Sequence, residues 1–207
     1  MILPLEGVRV LDLSRILAGP HAAQTLSDMG AQVTKIEAPW GDDSRTWGPP
    51  FQSGFDGKEV ASYFLSCNRG KDIRFANIKE ERDKVRTLIE ESDVVIENFR
   101  PGTFDRLLGP VKDDLIVCSI SGYGQTGPRR DEPAFDLTMQ ARSGIMSVTG
   151  EEGGPPAKVG VAWIDVMTGM NAVSSILACL LRREKTGQGA RIDICIFIIT
   201  ICTCITE

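Results

Sequence analysis

Histidine is nearly missing from this chain: His21 is the one histidine in 207 residues. A His-ligated metal site needs more imidazoles than that, and a Ser-His-Asp or Cys-His arrangement is weakened by the same shortage. His21 follows Gly19-Pro20, where a loop or helix-entry role accounts for it. Paired cysteine spacing is missing too. Cys67, Cys118, Cys179, Cys195, Cys202 and Cys204 contain no C-x-x-C, and the chain is too long for a disulfide miniprotein, so buried thiols in a reducing compartment are expected. Positive charge is not in excess. A net charge of -5 argues against non-specific nucleic-acid binding and requires any anionic ligand to find a local basic cluster. Signal-peptide patterning is absent, because Pro4, Glu6 and Gly7 interrupt the first apolar residues, and no Arg-rich mitochondrial presequence precedes them. The apolar stretch 192–206 is too short and too broken by Thr and Cys for a membrane span, and its Ile, Cys and Thr read as strand formers. No G-x-G-x-x-G follows the first strand. Gly122-Tyr123-Gly124-Gln125-Thr126-Gly127 matches by letter, but Pro128 ends the run and no helix follows, so turn chemistry is the reading.

What remains is an ordinary soluble composition, 42% hydrophobic and 25% charged, long enough to bury a real core. Strands are expected at 8–13, 32–37, 73–76, 94–96, 115–120 and 190–194. Helices are expected at 22–29, 80–91, 137–142 and about 164–183, with a short one opened by Pro101-Gly102 and a long loop at 39–58. Strands alternating with helices imply an α/β fold, a Rossmann-like parallel sheet with helices on both faces and no internal domain boundary. Ligands then gather at the carboxyl ends of the strands.

Arg15, Arg45, Arg69, Lys71, Arg74 and Arg106 fall at or near such ends and are candidates for binding a polyanion. Asn98 offers an amide just past a strand, and Gly102 and Thr103 open a helix where anions are favoured. Trp40, Trp47 and Phe99 could face a purine ring, although each alone is explained as core or loop anchoring. One acid stands apart. Asp165 lies among the apolar residues of Val161-Ala162-Trp163-Ile164-Asp165-Val166-Met167, with no second acid within three residues. A charge there must be compensated structurally or put to use, and a nucleophile is the second option.

Leu11-Asp12-Leu13-Ser14-Arg15, Ala18-Gly19-Pro20, Gly30-Ala31-Gln32-Val33, Lys35-Ile36-Glu37, Glu97-Asn98-Phe99-Arg100-Pro101-Gly102, Ser121 to Pro128, Phe135-Asp136-Leu137, Gly144 to Gly150 and Lys185-Thr186-Gly187-Gln188-Gly189 occur in this order. With the segment around Asp165, they make the chain resemble the class III CoA-transferases (CaiB/BaiF). The loop Asp42 to Pro50 looks most like the dicarboxylate branch, that of the succinyl-CoA:glutarate CoA-transferases. The resemblance implies transfer of CoA from an acyl-CoA donor to a small carboxylic acid, with acyl-CoA as substrate and no prosthetic group or metal. It places the family's nucleophile on Asp165. It places CoA contacts on Arg15, Ile16, Leu17 and Ala18, on Ala38, on Arg74, Phe75, Ala76 and Asn77, on Asn98, Phe99, Arg100 and Arg106, and on Pro133, Ala134, Phe135 and Asp136. Ala38 stands where some members carry a basic residue.

Racemisation of 2-methylacyl-CoA, the rival chemistry on this fold, needs an acid and a base on opposite faces. The racemase-type histidine position is here Phe135, which carries no proton. The resemblance further implies members roughly twice this length that form interlocked homodimers, in cytoplasm or mitochondrial matrix. Residues 1–195 would be the N-terminal part of a large domain and 196–207 an aberrant apolar tail. The small domain, the C-terminal return and a glycine-rich loop over the nucleophile would be absent. A catalytically inactive fragment that binds CoA is therefore the second expectation.

Overall fold

Successive strands send alternate side chains into two separate cores, which is why they read as near-continuous apolar runs. The computed structural model describes residues 2–54 and 57–204, for 201–204 the backbone alone. β1 (Arg9–Asp12), α1 (Ala18–Asp28) and β2 (Gln32–Glu37) come first. A 3-10 turn at Asp43–Thr46 and an antiparallel hairpin, β3 (Phe51–Ser53) with β4 (Glu59–Ala61), lead into α2 (Ser62–Ser66). β5 (Lys71–Phe75), α3 (Arg82–Glu90), β6 (Val94–Glu97), α4 (Thr103–Leu108) and β7 (Ile116–Ser121) follow. The remaining elements are α5 (Asp136–Ser143), a 3-10 turn at Ile145–Val148, α6 (Trp163–Thr186), β8 (Ala190–Cys195) and α7 (Ile196–Cys204).

Among the described residues, six strands form one parallel sheet in the order β5-β2-β1-β6-β7-β8. The chain steps outward from β1 through β2 to β5, then returns to β6 and proceeds the other way. This is the order of a doubly wound dinucleotide-type sheet, and its direction reverses between β1 and β6. Val10, Val94, Ile96, Ile116, Cys118 and Ile120 point to the core under α1 and α6, while Leu11, Leu13, Val95 and Val117 point to the core under α3 and α4.

α6 is long and apolar enough to cross a membrane by length and composition, with a mean hydropathy of 1.6. In the fold Ile164, Ala172, Val173 and Ile176 are instead buried in the core it shares with α1. The two helices meet closely: a Cβ on Gly169 would lie 2.8 Å from the Ala18 carbonyl oxygen.

Three expectations are corrected. α1 begins at Ala18 rather than at residue 22, because Gly19 and Pro20 are themselves helical, with proline tolerated in a first turn. The expected loop 39–58 contains a 3-10 turn and β3. Phe51 and Gln52 of that strand pair with Ala61 and Val60, with little alternation of apolar and polar residues to mark them. The stretch from Ile196 is helical, not extended. Its strand formers adopt a helix because α7 packs on α5 and α6, and Thr200 turns its hydroxyl back to the Ile196 carbonyl at 2.8 Å. Residues 205–207 of the expected tail lie outside the described residues.

Candidate active site

The loops leaving β1 and β6 meet where the sheet reverses. The Arg15 amide donates to Asn98 Oδ1 at 3.0 Å, and Asn98 Nδ2 donates to the Arg15 carbonyl at 2.9 Å. This reciprocal pair ties the two strand ends together at the position where such sheets bind ligands. Ile16 follows with φ of 72°, a costly conformation for a β-branched residue that the surroundings must enforce. Its amide points at the Asp42 carboxylate, 3.3 and 3.4 Å from the two oxygens. Asp42 also accepts from the Ser44 amide and hydroxyl and lies 3.3 Å from Lys35 Nζ. Lys35 Nζ donates to the Ser14 carbonyl at 2.7 Å, and Lys71 Nζ donates to Asp12 at 2.8 Å.

Asp12, Lys35, Asp42 and Lys71 have no exposed side-chain surface, so the strained loop rests on a fully buried network of two acids and two lysines. Burial opposes the Asp12 charge, yet Lys35 and Lys71 hold its carboxyl below the usual range. Gly19 is needed above this network because a Cβ there would run into the Ser14 side chain.

Arg15, Ile16, Leu17, Ala18, Asn98, Phe99, Arg100, Pro133, Ala134, Phe135 and Asp165 line one cleft of about 240 Å³. Asp165 is the third residue of α6, partly buried, and no hydrogen bond or ion pair to its carboxylate is found among the described residues. Burial, and then the neighbouring Asp136, push its carboxyl up to about 7. Asp136 is therefore the second acid that the sequence neighbourhood of Asp165 did not reveal. Rather than lining the cleft, Asp136 Oδ2 accepts the amides of Ile164 and Asp165 at 2.7 and 3.0 Å.

Other expected contacts lie elsewhere. Arg74, Phe75 and Ala76 line a separate pocket of about 300 Å³ beside α3, and the Arg74 guanidinium pairs with Asp72 at 2.7 Å. Asn77 stands at the approach to α3, where its amide donates to Glu81 at 2.9 Å. Ala38 follows β2, and its carbonyl accepts the Gly41 amide at 2.8 Å. Arg106 sits on α4, 3.5 Å from the Thr103 hydroxyl.

Besides Arg74, three more of the basic candidates are engaged. Lys71 is buried on Asp12, and Arg69 pairs with Asp28 at 2.6 Å. Arg45 grips Glu37 at 2.7 and 2.8 Å and lies 3.8 Å over the Phe64 ring. Arg15, Arg100 and Arg130 are the cations that line the cleft, with Arg15 4.0 Å from Asp43 and Arg130 3.5 Å from Asp131. Arg130, Asp131, Glu132, Ile120 and Ile196 line it without having been expected there, and Pro101, Ser121 and Gly122 line it as parts of the strand ends where ligands were expected to gather. Ser121 closes a strand and was legible as a strand end. Its hydroxyl is buried without a partner among the described residues. The charged run 130–132 follows a turn and carried no signal.

The sequence matches CoA-transferase family III over residues 5–204. A succinate–glutarate CoA-transferase of Agrobacterium fabrum is 46% identical over 200 residues, 92% of this chain and 50% of the relative. A succinyl-CoA:glutarate CoA-transferase of Mus musculus is 43% identical over 213 residues, 99% of this chain and 48% of the relative. The crystal structure of a CaiB/BaiF family protein from Brucella suis shares the fold with a TM-score of 0.94 at 44% identity, covering 99% of this chain and 56% of that one. The chain thus spans about half the length of the curated relatives it matches. On the match across nearly its whole length, the chain belongs to CoA-transferase family III.

Proposed function

We propose that the cleft transfers CoA from an acyl-CoA donor to a small carboxylic acid, with Asp165 as the nucleophile. The observation that carries this reading is the Asp165 carboxylate itself, without a hydrogen bond or ion pair among the described residues and pushed up to about 7, in a cleft at the sheet's reversal point. A carboxylate that no donor neutralises, in a partly dry setting, retains the nucleophilicity that water would remove.

The steps balance without an outside reagent. An Asp165 oxygen attacks the thioester carbonyl and CoA leaves as thiolate, giving a mixed anhydride. The thiolate attacks the Asp165 carbonyl carbon and releases the donor acid as its carboxylate, giving an aspartyl-CoA thioester. The acceptor carboxylate attacks that carbon, CoA leaves again, and the thiolate then attacks the acceptor carbonyl of the second anhydride. The acyl-CoA product departs and the Asp165 carboxylate is restored. Each step is an acyl transfer, and the tetrahedral oxyanions require donors placed in advance. The unpartnered Ser121 hydroxyl in the same cleft is one candidate. Arg15, Arg100 and Arg130 favour an anionic ligand at the mouth. The relatives named for succinate and glutarate make short dicarboxylic acids the first acceptors to try.

The test is chemical trapping. The protein is incubated with succinyl-CoA, quenched with hydroxylamine and mapped by mass spectrometry. A hydroxamate at Asp165 is expected, with no label in Asp165→Ala. Because the attacking form is the carboxylate, labelling at short times should rise with pH through about 7. Label at another acid, or an undiminished label in Asp165→Ala, would refute the assignment.

A further inference from the structure

We propose that Asp136 is a positioning residue that caps α6 from outside the helix and thereby keeps the Asp165 carboxylate free. This rests on the reading of Asp165 as the nucleophile and deepens it. α6 opens after Ala162, which has no side-chain acceptor for the free amides of the first turn. An acid in the third helical position would ordinarily reach back to such amides and be stabilised as an anion by them and by the helix dipole. Here those amides are taken. Ile164 and Asp165 both donate to Asp136 Oδ2, and Gln140 Nε2 holds the other oxygen of the same carboxylate. Gln140, one turn further along α5 and buried, also accepts the Val159 amide on Oε1 at 2.9 Å.

Two side chains of α5 thus grip both the segment entering α6 and its first turn. The backbone of Asp165 is fixed while its side chain is left with no donor. The charge on Asp136 adds to burial in opposing ionisation of Asp165. The other groups facing this corner are Tyr63 of α2, pushed up to about 12 by burial and then by Asp165, and His21 of α1, which packs against α6 at Gly169. Arg15, Arg100, Arg130, Asp131 and Glu132 stand around the cleft.

The experiment is a pH titration of the 207-residue chain with carboxyl-¹³C aspartate, Asp165 being assigned by its absence in Asp165→Asn. Asp136→Ala removes both the acceptor for the two amides and the charge, so that the Asp165 carboxylate can turn back to the freed amides. The Asp165 midpoint is expected to fall by about one unit or more in Asp136→Ala. A midpoint within about 0.3 unit of wild type overturns the proposal.

Asp165→Asn itself supplies a second reading that survives if Asp136→Ala does not fold. Its amides at 164 and 165 should exchange with solvent as slowly as in the wild type, because the cap comes from Asp136. Faster exchange there would mean that Asp165 caps its own helix, and the proposal fails. Hydroxylamine trapping separates the two claims. A shifted midpoint with no label at Asp165 would leave the positioning role standing and remove the nucleophile. Labelled Asp165 with an unshifted midpoint would do the reverse.

Discussion

Two acids at the centre of this molecule meet the same cost of burial in opposite ways. Asp12 lies at the end of β1 with Lys35, Lys71 and Ser14 around it, and its pKa is held low against the burial that would raise it. Asp165 lies at the start of α6 with no donor and with another acid beside it, and its pKa is driven up to about 7. Below the cleft, charge is compensated and serves to hold the Ser14–Ile16 loop in an unfavourable conformation. At the cleft wall, charge is left uncompensated, and that is what makes it available for chemistry. Within one family fold, the difference between a structural and a reactive carboxylate is thus the inventory of donors within reach, and burial alone does not distinguish them.

The largest effect should come from breaking the compensated side. Lys35 sits 3.3 Å from Asp42 and 3.9 Å from Asp12 and holds the Ser14 carbonyl, all without solvent contact. Lys35→Met preserves much of the chain's bulk but leaves the buried Asp42 with no cation among the described residues and Asp12 with Lys71 alone. Removing one partner of a buried pair is far worse than never having had the pair, so a loss of about 3–5 kcal/mol is expected in urea unfolding at pH 7. Part of that loss should be recovered at low pH, where protonation relieves the stranded Asp42. A loss under about 1 kcal/mol would mean that water reaches the network and screens it.

The uncompensated side predicts the opposite sign. With its folded pKa raised to about 7 and an unfolded value of about 3.9, Asp165 binds its proton more tightly in the native state. Its contribution to stability is therefore complete below about pH 4 and is lost as pH rises through about 7. Asp165→Asn has no such term. It should match the wild type near pH 4 and exceed it by roughly 1–3 kcal/mol at pH 8, a gain in stability accompanied by loss of the trapped intermediate. Paired urea titrations at pH 5 and pH 8 would measure it. A variant less stable than wild type at pH 8 would show that the carboxylate has a partner after all.

Much of this contrast was written in the sequence, though unevenly. The parallel sheet was legible because a two-sided core forces runs such as Val94-Val95-Ile96, and the punctuating glycines and prolines bracket them. Asp165 was legible as an acid among apolar residues, and the Arg15–Ala18 and Asn98–Arg100 loops as strand ends on either side of a reversal. Compensation was not legible. Lys71 and Arg45 read as cations near strand ends, free for a polyanion, because their partners Asp12 and Glu37 lie 59 and 8 residues away along the chain. Asp136 reaches Asp165 across 29 residues, so no window of local sequence could have joined them. The turn of the chain at Ile196 was missed for another reason. β-branched residues favour strands in isolation, but a helix results when one face has α5 and α6 to pack on.

The smallest effect sharpens the comparison by removing charge from it. Thr168, one turn beyond Asp165 on α6, is fully buried and its hydroxyl has no partner among the described residues. It is uncompensated in the same sense as Asp165 but neutral. Thr168→Val keeps the branched shape at this buried position and deletes only the unsatisfied oxygen. A buried hydroxyl without a hydrogen bond is worse than a methyl in its place, so a gain of about 0.5–1.5 kcal/mol is expected. Unlike the gain from Asp165→Asn, this one should be the same at pH 5 and pH 8, because a threonine hydroxyl does not titrate. If the gain grew with pH, the oxygen would have to be coupled to the Asp165 charge, and the two uncompensated groups would form one unit rather than two. A loss of stability would show that the hydroxyl already has a partner and that the orphaned acid is alone on its helix.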